Sequence, residues 1–278
     1  MSRRWSLLGL TTALTVAITG QVLDRIDFPI NYQLVFMGLS LGGLISYYFS
    51  SHIDLPEVET ILEKQGLSLR ARLKENLALV ANERAFVSFN LKRFVFITGQ
   101  TLAIPLFPLY YVRVLHASNS WIGVIATAQT AVMLIGYFFW TRQSRSRGSR
   151  FVLLWTTFGI SLFPAVIAST RQIEWVVFIA GLGGILQAGI DLVFFDELMK
   201  TVPEEYSATF VSYAQSIQYL SSFIAPLIGT TLATWIGIPG AMLVSTAIRL
   251  LGFALFAGAG QGRLVARFHR LRSPSQGD

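Results

Sequence analysis

Apolar residues in this chain fall into long, nearly unbroken runs, with neither the narrow stripe of a surface helix nor the period-two alternation of a half-buried strand. Eight such runs cover 5–22, 28–48, 94–115, 121–140, 151–168, 175–195, 206–235 and 238–258. A helix rises about 1.5 Å per residue, so about 20 apolar residues cross a hydrocarbon layer about 30 Å thick. The runs meet or nearly meet that length, and the missing alternation argues against a membrane β-barrel. Trp5, Trp121, Trp140, Trp175 and Trp235 stand at the ends of runs, where an indole ring prefers the headgroup level. The expected fold class is all-α, a polytopic membrane bundle of about eight transmembrane helices.

The longest polar stretch, 51–93, separates two runs from six. Asp54 is placed to cap a helix whose first turn holds Pro56, with Glu57 three residues on as in a capping box. Leu69, Leu73, Leu77 and Val80 then recur at helical spacing opposite Arg70, Arg72, Lys74 and Glu75. That pattern predicts an amphipathic helix with a basic face, resting on anionic lipid or joining two bundles. The expected organisation is a helix pair over 1–50, an amphipathic linker over 51–93, a six-helix half over 94–260 and a basic tail over 261–278.

Composition agrees with lipid as the solvent. Of 278 residues, 53% are hydrophobic and only 13% charged, with a mean hydropathy of +0.56; soluble domains carry about 25% charged residues. The net charge of +7 is scattered between apolar runs, not gathered into a basic domain, so nucleic acid is not expected as a partner. With the N-terminus inside, 18 of the 22 Lys and Arg residues fall on the inner side. Only Arg25, Arg113 and Arg171 lie outside, and Arg249 sits within a run. The positive-inside rule then puts both termini in the cytoplasm of a cell that carries the protein in its inner membrane. A rival reading takes 1–20 as a signal peptide with a poor cleavage site at Ala17, Ile18 and Thr19, which leaves seven spans. Cysteine is absent, and His52, His116 and His269 are isolated, so neither a metal site nor any other cofactor is expected. No nucleophile–base pair or paired intramembrane acid suggests an enzyme.

Several local sequences carry a resemblance. Phe28, Pro29, Ile30, Asn31, Tyr32 and Gln33 open the second run; Ser120, Trp121, Ile122 and Gly123 open the fourth. Asp196 and Glu197 precede Val202, Pro203, Glu204 and Glu205, and the seventh run contains Ile224, Ala225, Pro226, Leu227, Ile228 and Gly229. In this order the chain resembles helices five to twelve of a major facilitator superfamily transporter, with the N-terminal part of the family's fold absent. The family's Gly-x-x-x-Asp-Arg-x-Gly-Arg-Arg motif survives after the fourth run only as Arg145, Gly148 and Arg150, with Arg145 where the aspartate belongs. Gly20, Asp24 and Arg25 mimic the motif better, but reading them as the cytoplasmic loop would put the 18 basic residues outside. The resemblance implies secondary active transport of a small solute by alternating access, with the bilayer and a solute as partners and with or without a coupling ion. The alternative is a non-transporting membrane protein, a truncated remnant or an assembly subunit.

Polar groups inside apolar runs are costly in lipid, so they face a cavity or a partner helix. Asp191 is the one acid well inside a run, about 6 Å by helix rise from its cytoplasmic end, and Gln187 lies one turn earlier on the same face. Ser212, Gln215, Tyr219 and Ser222 form a polar stripe in the seventh run, and Gln100 is alike in the third. These seven are the candidate cavity residues; interhelical hydrogen bonding explains the same polarity without a solute. Pro105, Pro108, Pro164 and Pro226 are candidate kinks where gates could flex. Gly38 with Gly42, and Gly181, Gly183 and Gly184, are expected to let helices pack closely. Arg249 is expected to snorkel to the surface.

Overall fold

The computed structural model describes residues 2–52 and 77–258. The capping box at Asp54, most of the amphipathic segment and the basic tail over 261–278 lie outside the described residues. Those described are all-α: α1 (Ser2–Arg25), α2 (Ile30–Ser51), α3 (Arg84–Ala103), α4 (Leu106–Arg113), α5 (Asn119–Arg147), α6 (Ser149–Ser169), α7 (Ile173–Met199) and α8 (Ser207–Gly258), with a short 3₁₀ turn at Glu204–Tyr206. Among the described residues six helices are long and apolar enough to cross a membrane, counting α3 and α4 as one. The sixth is the 52-residue α8; α1, at 24 residues, is not among the six.

Helix α8 is two spans joined at a break. Gly237 has φ 78° and ψ 161°, a conformation almost closed to residues with a Cβ, and it falls where the seventh and eighth runs meet. Packing on α3 shows the reversal. Phe210 meets Phe86, Ser221 meets Thr98 and Gly229 abuts Leu102, so the first half ascends α3. Ser245 then bonds Gly99, Gly252 abuts Phe96 and Phe256 meets Phe89, so the second half descends it. The two halves flank α3 as an antiparallel hairpin.

Proline sets the other breaks. Pro105 has no amide hydrogen to offer the carbonyl of Thr101, which accepts instead from Ile104 N at 3.2 Å, and α3 ends there. Pro164 sits inside α6, and Pro226 and Pro239 inside α8; Pro108 lies in the first turn of α4, where its missing donor costs least. Between α5 and α6 the turn is a single residue, Gly148, at φ 84° and ψ 154°. At the other end of α5, the Ser118 side chain caps by accepting from Trp121 N at 3.4 Å.

Small residues let α7 press against its neighbours. A Cβ at Gly184 would stand 2.2 Å from the Gln129 carbonyl oxygen on α5, and one at Gly183 would stand 2.6 Å from the Phe163 ring on α6. By contrast, a Cβ at Gly38 or Gly42 would meet no described atom within 4 Å, and α2 leaves Tyr47, Phe49 and most of its length exposed. Helix α1 packs on α5 through Gly20 and Gly123, and Asn31 Nδ2 donates to Leu23 O at 2.9 Å across the turn to α2. Trp121, Trp175 and Trp235 are exposed, but Trp140 is buried, its indole N–H donating to Ile185 O at 2.8 Å. Trp140 is therefore a core residue, not a headgroup anchor.

Candidate functional site

Helices α3, α5, α6, α7 and α8 enclose a cavity of about 1740 Å³ that reaches from Phe107 to Arg145 and Ser146. Most of its surface is apolar, and polar side chains from α3, α5, α7 and α8 converge on it.

A hydrogen-bonded chain crosses three helices there. Gln100 Nε2 on α3 donates to Gln187 Oε1 on α7 at 2.8 Å, and Gln187 Nε2 donates to Asp191 Oδ1 at 2.8 Å. Tyr137 on α5 completes it, its hydroxyl donating to Asp191 Oδ2 at 3.0 Å. The four-residue step from Gln187 to Asp191 puts both side chains on one face of α7. Asp191 remains exposed to the cavity.

Gln100, Gln187, Asp191, Gln215 and Ser222 all line this space. Ser212 and Tyr219 are not among the lining residues: the Ser212 hydroxyl donates to Ala208 O within its own helix at 2.8 Å, and Tyr219 is exposed on another face. Of the loop-motif residues, Arg145 lines the cavity, Gly148 makes the turn and Arg150 is exposed.

Two arginines alter the picture drawn from the apolar runs. Helix α3 starts at Arg84 rather than at 94, so Arg93 is a helix residue of the cavity wall instead of a loop charge. Its Nη2 donates to Gln218 Oε1 at 2.5 Å and its guanidinium lies 5.8 Å from the Phe194 ring centroid, while Nε and Nη1 are buried without a hydrogen-bond partner. Arg249 does not snorkel. It is 2% exposed and donates from Nη1 to Ile160 O at 3.0 Å, from Nη2 to Gln100 O at 3.3 Å and from Nε to Gly99 O at 3.3 Å.

Away from the cavity, polar links close both ends of the bundle. At the end bearing the α5–α6 turn, Lys200 Nζ reaches Ser149 Oγ at 2.5 Å, Asp196 at 2.7 Å and Glu197 at 2.9 Å, and Ser149 also donates to Glu197. Burial works against the Lys200 charge, but the bonds to Asp196 and Glu197 outweigh it and hold its pKa above the usual value. At the opposite end, Asp24 Oδ2 accepts from Ser120 N at 2.7 Å and from the Ser120 hydroxyl. The Ser120 hydroxyl bond in particular holds the Asp24 carboxyl below its usual range. No group of three or more metal-ligating side chains occurs among the described residues.

Comparison with known families places this architecture. A model of the Major Facilitator Superfamily matches residues 91–266, the stretch that builds the cavity. No curated protein matches the chain. With a family match over more than half its length, this multi-pass membrane protein belongs to the major facilitator superfamily of membrane transporters.

Proposed function

We propose that the chain carries out secondary active transport of a small solute by alternating access, in the inner membrane with both termini cytoplasmic. The observation that carries this reading is the Gln100–Gln187–Asp191–Tyr137 chain, which lines the cavity between α3, α5 and α7. Solute sites in such transporters lie near the bilayer midplane, where irregular or polar structure is tolerated only around a cavity. Gln215 and Ser222 on α8 face the same space and supply further hydrogen-bonding groups. The breaks at Pro105, Pro164 and Pro226 are the proposed flexing points. The excess of basic residues on the inner side supports the orientation.

The test is uptake by ATP-free proteoliposomes containing the full chain, under an imposed proton or sodium gradient, with labelled organic acids, sugars and amines offered in turn. Accumulation of one class that collapses with an ionophore is expected. Uptake only when ATP is supplied would overturn the reading.

A further inference from the structure

Of the charged side chains that line the cavity, two are already answered. Asp191 accepts from Gln187 and Tyr137. Arg249 spends its donors on three carbonyls. Arg93 is different: only Nη2 is bonded, to the neutral Gln218, while Nε and Nη1 are buried and unmatched. No carboxylate pairs with it among the described residues. A half-buried guanidinium with two buried nitrogens left unmatched is costly unless something anionic completes it.

The rest of the wall has the same sign. Arg93, Arg142, Arg145 and Arg249 line the cavity against the single acid Asp191. Arg142 and Arg145 stand toward the end of the bundle that bears the α5–α6 turn, and fixed positive charge raises the local concentration of anions. Around Arg93 the wall is apolar: Phe194 lies against the guanidinium, and Ile97, Phe195 and Leu198 belong to the same lining.

We infer that the transported solute is an organic anion, its carboxylate, phosphonate or like group bound at the Arg93 guanidinium, whose Nε and Nη1 find no partner in the wall, and its apolar body lying along the Phe194 side of the cavity. This rests on the transport reading above and narrows it to one substrate class. The same anionic chemistry is offered by a phospholipid headgroup, which the experiment separates from a free solute.

The full chain is reconstituted in nanodiscs of purely zwitterionic lipid, and binding of benzoate and phenylphosphonate is measured against benzylamine and benzyl alcohol. Both anions are expected to bind saturably and the amine and alcohol not. Arg93→Gln is expected to weaken anion binding roughly 10- to 100-fold, Arg93→Lys to retain part of it, and Arg171→Gln, exposed and distant from the lining, to change nothing. Monodisperse elution of each variant checks that it folds. Equal binding of the alcohol or amine, unchanged anion binding by Arg93→Gln, or no anion binding at all would overturn the inference. So would anion binding that Arg93→Lys loses as fully as Arg93→Gln does. Protection of Arg93 only by added phosphatidylglycerol, with no free anion bound, would assign the site to lipid and overturn it too. Gradient-driven uptake of a neutral sugar without anion binding would sink this inference and leave the transport reading standing. Anion binding without any uptake would sink the transport reading, and with it the claim that the anion is carried, and leave only an anion site at Arg93.

Discussion

Arg249 Nη1 donates at 3.0 Å to the carbonyl of Ile160, the one carbonyl that Pro164, four residues on, cannot serve. The same guanidinium reaches Gln100 O at 3.3 Å. That carbonyl lost its helical donor when Ile104 N turned to Thr101, itself deprived by Pro105. One arginine on α8 thus fills gaps opened by two prolines on other helices. Orphaned carbonyls away from water cost about 1–3 kcal/mol each, which explains why a charged side chain stays inside instead of reaching for the surface.

Arg249→Met is therefore expected to destabilise the bundle, by about 2–6 kcal/mol for two orphaned carbonyls. In a Pro164→Ala background, where residue 164 regains its amide, the same substitution is expected to cost less. A positive coupling of about 0.5–3 kcal/mol in a double-mutant cycle, read from unfolding in detergent, is the predicted result. Strict additivity would mean that Arg249 does not answer Pro164.

Gly184 and Gly38 offer a paired comparison. A Cβ at Gly184 would lie 2.2 Å from backbone on α5, so Gly184→Ala should force α5 and α7 apart and cost about 1–3 kcal/mol. Gly38→Ala meets open space and should change the melting temperature little. Thermal unfolding of both variants in the same detergent decides it.

The two ends of the bundle should respond to opposite extremes of pH. The Asp24 pKa is depressed below 3.8, so its link to Ser120 contributes fully above that value and is lost as pH falls through the folded pKa. Lys200 is raised above 10.5, so its cluster contributes fully below that value and is lost as pH rises through the folded pKa. Because the chain has no cysteine, a Gly20→Cys, Gly123→Cys pair reports the α1–α5 contact cleanly. Cross-linking yield is expected to stay flat from pH 5 to 9 and to fall on adding Asp24→Asn, which removes the charged acceptor.

Asp191→Asn keeps an oxygen for one donor but gives up the charge. If the Gln100–Gln187–Asp191–Tyr137 chain binds solute or a coupling ion, gradient-driven uptake should drop about tenfold or more, on the scale of a lost charge-assisted hydrogen bond, while thermal stability moves by less than about 1 kcal/mol. Loss of stability with uptake retained would mark the chain as structural.

The helices themselves were legible because lipid demands long apolar runs, and the division at 235–238 falls where Gly237 breaks α8. Gln100, Gln187 and Asp191 stood out as polar groups within such runs. Arg93 did not, because the apolar run begins at Phe94 and a charge beside it reads as loop; the turns from Arg84 onward become helical by packing, as Phe86 against Phe210 shows. Tyr137 was hidden by its ordinary place in an aromatic stretch. Arg249 is visible in the sequence as a charge within a run, but its inward course is not, since its need for Ile160 and Gln100 arises only from tertiary neighbours.

The hairpin of α8 around α3 has a mechanical consequence. Gly229 and Gly252 bring backbone from both arms against α3 at Leu102 and Phe96, clasping the strut between two rails. Sliding of α3 past either arm would collide with main chain, not with a side chain free to swing aside. Motion at the Pro105 and Pro226 breaks is therefore expected to bend these three spans together, not to slide one past another.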